Sequence, residues 1–143
     1  MNRRQDLETI VISVHTLVRM AATETGSRTP QAQWRTLSLL NETGPLRLGE
    51  LATLSRVTQP GMTRLVGQMA QAGLIDRSTD PDDSRAVVLA VTDAGRAELA
   101  QWRNELTRTL APWFDDLDET EWQALHTAAA ILDRKTRVTE AAL

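Results

Sequence analysis

The spacing of apolar residues changes along this chain, and the change limits the folds open to it. Through most of the length they recur at three- and four-residue steps, the spacing of one helix face. Between Leu74 and Val91 the step falls to two, the spacing of one strand face. The chain is therefore helical with a short extended insert. Its 143 residues suffice for one compact domain, or a domain with a helical arm, whose core needs no disulfide or metal. No internal repeat or low-complexity stretch interrupts it.

The first helix carries Leu7, Ile10, Val14, Leu17 and Ala21, with Val11 and Val18 beside them, and Thr25-Gly26-Ser27-Arg28 breaks it. So broad a stripe at a chain end has little on which to fold back, and a partner helix is its natural use. Thr29-Pro30 opens a second helix, with Thr as cap and Pro at the first helical position. Ala32 or Gln33, Trp34, Leu37 and Leu40 mark its buried side. Asn41 to Pro45 turns the chain into a short extended piece, Leu46-Arg47-Leu48. Glu50 to Ser55 is a short helix that packs through Leu51, Ala52 and Leu54, and Arg56-Val57 makes a turn. Thr58 caps the next helix, with Pro60 in its first turn. Met62, Leu65, Val66 and Met69 fall on one face, and Gln59, Thr63, Arg64, Gly67 and Gln68 on the other. Gly73 ends the helix as a left-handed cap residue does.

Leu74-Ile75-Asp76-Arg77 and Ala86 to Val91 read as strands, with Val87, Leu89 and Val91 facing one way. Ser78 to Arg85 reads as a polar, turn-rich connection. A helix-turn-helix followed by a strand hairpin is a winged helix. The expected class is mainly α with a small β-hairpin wing (α+β). Thr92 caps a long helix with the stripe Leu99, Trp102, Leu106, Leu110 and Trp113, which Pro112 ends or kinks. Asp118-Glu119-Thr120-Glu121 resembles a capping box. The last helix is expected to bury Trp122, Leu125, Ala128, Ala129 and Leu132, and to fray after Lys135.

Several chemistries are excluded. Cysteine is absent, so there are no disulfides, thiolate metal sites, thiol nucleophiles or thiol redox sensors. The two histidines, His15 and His126, stand 111 positions apart and cannot supply the usual zinc ligand count within one subunit. Asp80, Asp82 and Asp83 lack the glycine and distant glutamate of a calcium loop. Asp115, Asp116, Asp118, Glu119 and Glu121 suit a helix start. No metal, no cofactor and no enzymatic activity is expected, since nucleophile motifs and phosphate loops are also missing. The longest apolar run, Ala86 to Val91, has six residues and cannot span a membrane. The first residues, Met-Asn-Arg-Arg-Gln-Asp, lack the apolar core of a signal peptide. A cytoplasmic protein is the default.

The formal net charge of −3 argues at first against a nucleic-acid partner. Its distribution is less adverse. From Leu51 to Arg77 there are three Arg and one acid, Asp76, while acids gather in the hairpin and the closing helices. Fifteen of the sixteen basic residues are Arg, the residue whose planar fork binds phosphate and base edges. GC-rich coding gives the same ratio. A helix face of Gln, Thr, Arg and Gly suits the major groove, where Gln pairs with adenine and Arg with guanine. Gly61 and Gly67 remove bulk where a backbone must come close. Arg85, on the hairpin, suits the minor groove, and Asp83 is placed to hold its side chain by a charge-assisted bond. A polar helix face is also often merely solvated, and the acids of the hairpin repel phosphate.

Three runs carry a resemblance to a known family: Val57 to Val66 continuing through Gly73-Leu74-Ile75-Asp76-Arg77, Asp80-Pro81-Asp82-Asp83-Ser84-Arg85, and Leu89 to Gly95. They resemble the MarR (multiple antibiotic resistance regulator) family of bacterial transcription factors, and the flanking helices sit where that family has them. The resemblance implies a recognition helix at about 58–72, with Thr58, Gln59, Pro60, Gly61, Thr63, Arg64 and Gln68 toward the major groove. It implies a wing at about 74–91, with Arg77, Asp83 and Arg85 at the DNA and Arg85 in the minor groove. The winged helix-turn-helix would cover 29–94 of a single MarR-like domain, 1–143. Residues 5–22 and 95–135 would form the N- and C-terminal dimerisation helices, through Leu7, Ile10, Val14, Leu17, Trp122, Leu125 and Leu132. The implied partners are a second copy and double-stranded DNA with a pseudo-palindromic operator.

Family members often release DNA on binding a small phenolic or other aromatic acid. His15, Arg19, Trp34 and Trp102 are the expected lining of such a pocket, although each Trp also suits plain packing. The expectation is a repressor released by a small effector. The alternative is a winged-helix protein-interaction module, which the acidic hairpin and closing helices would suit.

Overall fold

The computed structural model describes residues 2–26 and 30–137. In chain order the elements are α1 (Arg3–Thr25), α2 (Gln31–Thr43), β1 (Leu46–Arg47), α3 (Leu48–Ser55), α4 (Gln59–Gln71), β2 (Ile75–Asp80), β3 (Asp83–Val91), α5 (Asp93–Leu110), a 3-10 turn (Ala111–Phe114) and α6 (Glu119–Thr136). The sheet is antiparallel in the order β1-β3-β2, with Leu46 opposite Leu89 and Ile75 opposite Val91. Among the described residues no helix is long and apolar enough to cross a membrane.

One core joins the helix-turn-helix to the sheet. Leu37 and Leu40 of α2, Leu51 of α3, Met62 and Met69 of α4, and Leu89 of β3 are fully covered by one another and their neighbours. Leu99 extends this core into α5, and Trp34 and Trp102 stack at its edge with ring centroids 4.9 Å apart and planes 11° from parallel. The stack fastens α2 to the middle of α5.

The junction of α4, wing and α5 is held by Thr92. Its hydroxyl donates to the Gly73 carbonyl at 2.7 Å and accepts from the Gly95 N–H at 3.0 Å. Its own N–H donates to the Leu74 carbonyl at 3.1 Å. Gly73 turns the chain there with φ 75, a left-handed conformation that glycine takes at no steric cost. Gly95 lies against the same corner, buried under the backbone of Leu74.

The structure corrects several boundaries. Pro30 is the residue before α2 rather than its first, and the expected cap Thr29 lies outside the described residues. Leu48 begins α3, whose first turn is closed when Glu50 accepts the Arg47 N–H at 2.8 Å. The strands take in most of the segment read as a connection, leaving Pro81-Asp82 as the turn. Ser78 pairs with Val88 and Thr79 with Val87, because an exposed ladder needs backbone partners and tolerates polar side chains. Trp113 lies in the 3-10 turn, 57% exposed. On α6 no residue is buried: Trp122 and Leu125 are 45% and 41% exposed, and Ala128 and Leu132 are half-buried. Its capping box does form, with reciprocal bonds of 2.9 and 3.0 Å between Asp118 and Glu121. The helix runs on to Thr136, and the tail from residue 138 lies outside the described residues.

A methyl group on Gly95 would overlap the Leu74 carbonyl oxygen and stand 2.9 Å from Val91 Cγ2. Gly95→Ala is expected to destabilise the fold by roughly 3 kcal/mol, the upper part of the range for overpacking. The denaturant midpoint of the variant checks this.

Candidate nucleic-acid interface

The exposed side of α4 is set by burial of the opposite side. Met62, Val66 and Met69 are covered, so Gln59, Pro60, Thr63, Arg64 and Gln68 face outward, and all five are exposed. The helix start is well formed: Thr58 accepts the Gly61 N–H at 3.3 Å, and Pro60 sits in the first turn, where no amide partner is lost. Thr63 donates its hydroxyl proton to the Gln59 carbonyl at 2.8 Å. Its outward face is left with a methyl and oxygen lone pairs, which suit a thymine methyl or a donor such as the cytosine amino group. Arg64 makes no ion pair among the described residues.

The two α4 glycines differ. A methyl on Gly61 would stand 3.1 Å from Thr58 Oγ1 and 3.2 Å from Val57 Cγ1, so glycine protects the cap. A methyl on Gly67 would meet nothing within 4 Å. Packing does not require that glycine, and the helix surface there is low. Before α4, Arg56 takes φ 53, a left-handed conformation at a non-glycine residue. Both ends of this turn are fastened, by the Arg56 N–H on Thr53 and the Val57 N–H on Ala52.

In the wing, Arg85 and Arg77 are exposed. Asp83 does not hold the Arg85 side chain: its Oδ1 accepts the Arg85 backbone N–H at 3.0 Å. The expected charge-assisted bond is thus replaced by a turn bond two residues along, which orders the tip and leaves the guanidinium unpaired among the described residues. The pair that does form was not legible in the sequence. Arg47 Nε and Nη2 both lie 2.7 Å from Asp80 Oδ2. Its signal is weak, since the partners are 33 positions apart. A cleft of about 400 Å³ opens between α4 and the wing, lined by Gln59, Arg47, Arg85, Gly49 and Glu50 among others. Gly49 keeps room there for Gln59, whose Nε2 would be 3.3 Å from a methyl at that position.

A helix face and a hairpin carrying free Arg, joined by such a cleft, form one surface. The MarR family model matches residues 30–87, from α2 into β3. An uncharacterized HTH-type transcriptional regulator of Mycobacterium bovis is 31% identical over 101 residues, 71% of each chain. The chain belongs to the MarR family of winged helix-turn-helix transcriptional regulators. The HTH-type transcriptional repressor IacR of Pseudomonas putida is 30% identical over 95 residues, 66% of this chain and 56% of that protein. The structure of a MarR family protein from Bacillus stearothermophilus matches with TM-score 0.72 and 22% identity, over 94% of this chain and 97% of that one, a likeness of fold.

In this MarR-family chain the four residues expected around an effector are not gathered in one cavity. Trp34 is buried in its stack with Trp102, and His15 is exposed on α1. Arg19 lines a separate recess of about 310 Å³ with Met20, Thr23, Glu24 and Trp113. Leu7 and Val14 are 63% and 47% exposed on α1, and Ile10 and Leu17 are half-buried.

The Asp82 N–H and the Arg47 guanidinium hold the Asp80 carboxyl below the usual carboxylate range, against the opposing effect of its partial burial. A depressed native value stabilises the fold at pH above the unfolded value, and that contribution is lost as pH falls through the native one. Carboxyl NMR is expected to show Asp80 titrating below an ordinary Asp. In Arg47→Gln its midpoint is expected to rise without fully normalising, because the Asp82 N–H remains.

Proposed function

We propose that the chain is a homodimeric, sequence-specific repressor of transcription that binds double-stranded DNA at a pseudo-palindromic operator. The observation that carries this is an outward, acid-free α4 face whose Gln59 lines one cleft together with the exposed wing Arg85. In this reading α4 enters the major groove with Gln59, Thr63, Arg64 and Gln68 at base edges, and Arg85 enters the adjacent minor groove. Two copies present two such helices to successive major grooves. The repressor assignment follows the Pseudomonas putida relative, the transcriptional repressor IacR. A regulator rather than an enzyme, in the cytoplasm, is the matching assignment.

Dimerisation is assigned to α1 and α6. Leu7, Val11, Val14 and Val18 leave an exposed apolar stripe on α1, and Trp122 and Leu125 do the same on α6, with half-buried Leu132 on their side of the helix. The packing of α6 within the chain is sparse: Trp122 meets Phe114 with ring centroids 6.3 Å apart, and the end of the helix shares a recess with Glu42 of α2. Exposed apolar surface of this extent marks an interaction face. A small aromatic or phenolic effector fits best at the Arg19 recess, where a guanidinium and the exposed Trp113 ring adjoin.

Duplexes selected from a random pool by the purified protein are expected to share an inverted repeat. Affinity should fall about a thousandfold or more between 50 and 200 mM salt if the dimer neutralises six or more phosphates. A flat salt response would favour a protein-binding winged helix. Arg85→Ala should weaken operator binding by roughly tenfold while sedimentation still reports a dimer. Leu17→Asp should give monomers or insoluble protein, and a stable active dimer would place the interface elsewhere.

A further inference from the structure

Arg47 belongs neither to the recognition helix nor to the wing. It is the second residue of the two-residue edge strand β1 and stands opposite Val88 of β3. Its guanidinium reaches Asp80, the last residue of β2. Since β3 lies between β1 and β2, the side chain spans the middle strand. Val88 and Ala86 share one face of β3, because alternate strand residues do. Ala86 lines the cleft with Arg47 and Arg85, and its single methyl leaves the crossing open.

Asp80 uses both oxygens. Oδ1 accepts the Asp82 N–H at 2.9 Å and closes the hairpin turn, while Oδ2 takes Arg47. The Asp80 side chain is only 11% exposed. The strand register shifts between Thr79 and Asp80, and such an irregularity bends and twists a hairpin. The pair therefore grips the wing where its ladder is least regular. The tip beyond is ordered by the Asp83 bond to the Arg85 N–H, so the angle of the wing to the body is the freedom that Arg47 removes.

We infer that Arg47 and Asp80 are positioning residues for Arg85: their ion pair sets the wing angle at which Arg85 and the outer face of α4 meet one duplex together. The inference holds only if the chain binds duplex DNA as proposed. Two contacts on one rigid surface need no ordering at the moment of binding, whereas a loose wing loses freedom when it docks.

Asp80→Asn separates this role from a direct phosphate contact by Arg47. Asparagine keeps an acceptor for the Asp82 N–H and removes a negative charge beside the DNA. Charge alone predicts tighter binding. The positioning role predicts weaker binding, by roughly tenfold, the same direction and size as Arg47→Gln. Each loss should nearly vanish when measured in the Arg85→Ala background. Minor-groove protection from hydroxyl radicals should fade at the half-site flanks, while major-groove guanines stay protected from methylation. Unfolding midpoints identify any variant that is merely misfolded, and the double-mutant comparison is then made with whichever of the two variants folds. Unchanged or tighter binding by Asp80→Asn, or losses that add to that of Arg85→Ala, would overturn the inference. Failure of the wild-type protein to select any duplex would overturn the DNA assignment itself, and the inference with it.

Discussion

The Thr92 side chain is the point on which the geometry of this protein turns. One hydroxyl bonds the end of α4 through Gly73 and the start of α5 through Gly95. The Thr92 N–H bonds Leu74, where the wing begins. The exposed face of α4, the wing and the first of the closing helices are thus fixed to each other over a few ångströms of backbone. Burial of Met62, Val66 and Met69 then determines which side of α4 faces out. Neither constraint suffices alone. The core sets the rotation of α4 about its axis, and the Thr92 corner sets its relation to everything that follows.

Much of this was legible in the sequence because it is local. Caps at Thr58 and Thr92 follow from the cap residue itself, and that at Asp118 from Asp with Glu three positions on, and all three form. The two faces of α4 follow from period alone. Strand length was misread because Ser78 and Thr79 are polar, and composition reports burial better than it reports backbone pairing. The Arg47–Asp80 pair was invisible for a different reason. It depends on the order β1-β3-β2, which brings residues from opposite edges across a central strand. Asp83, the nearer acid, was the natural partner for Arg85 by spacing, yet its side chain is taken by a backbone N–H. On α6 the period correctly marked an apolar face. Within the chain that face stays largely exposed, with Trp122 tilted against Phe114.

Charge illustrates the same limit. A total of −3 and an acid-rich hairpin look unfavourable for meeting phosphate. Asp80 is paired with Arg47, and the covered carboxylate projects little field outward. Asp83 spends an oxygen on ordering the tip. On α4 and the wing Arg64, Arg77 and Arg85 stay exposed, as do the acids Asp76 and Asp82. Net charge counts ionisable groups wherever they lie, whereas a partner meets those on the face it approaches.

The stacked indoles of Trp34 and Trp102 have a practical consequence. Two parallel rings at 4.9 Å couple their electronic transitions, and the coupling depends steeply on their angle and separation. They belong to α2 in the winged body and α5 in the helical arm. The protein thus carries an intrinsic optical gauge of how body and arm are disposed. Its circular dichroism in the tryptophan bands would register a change in that relation in solution, without a dye or a label.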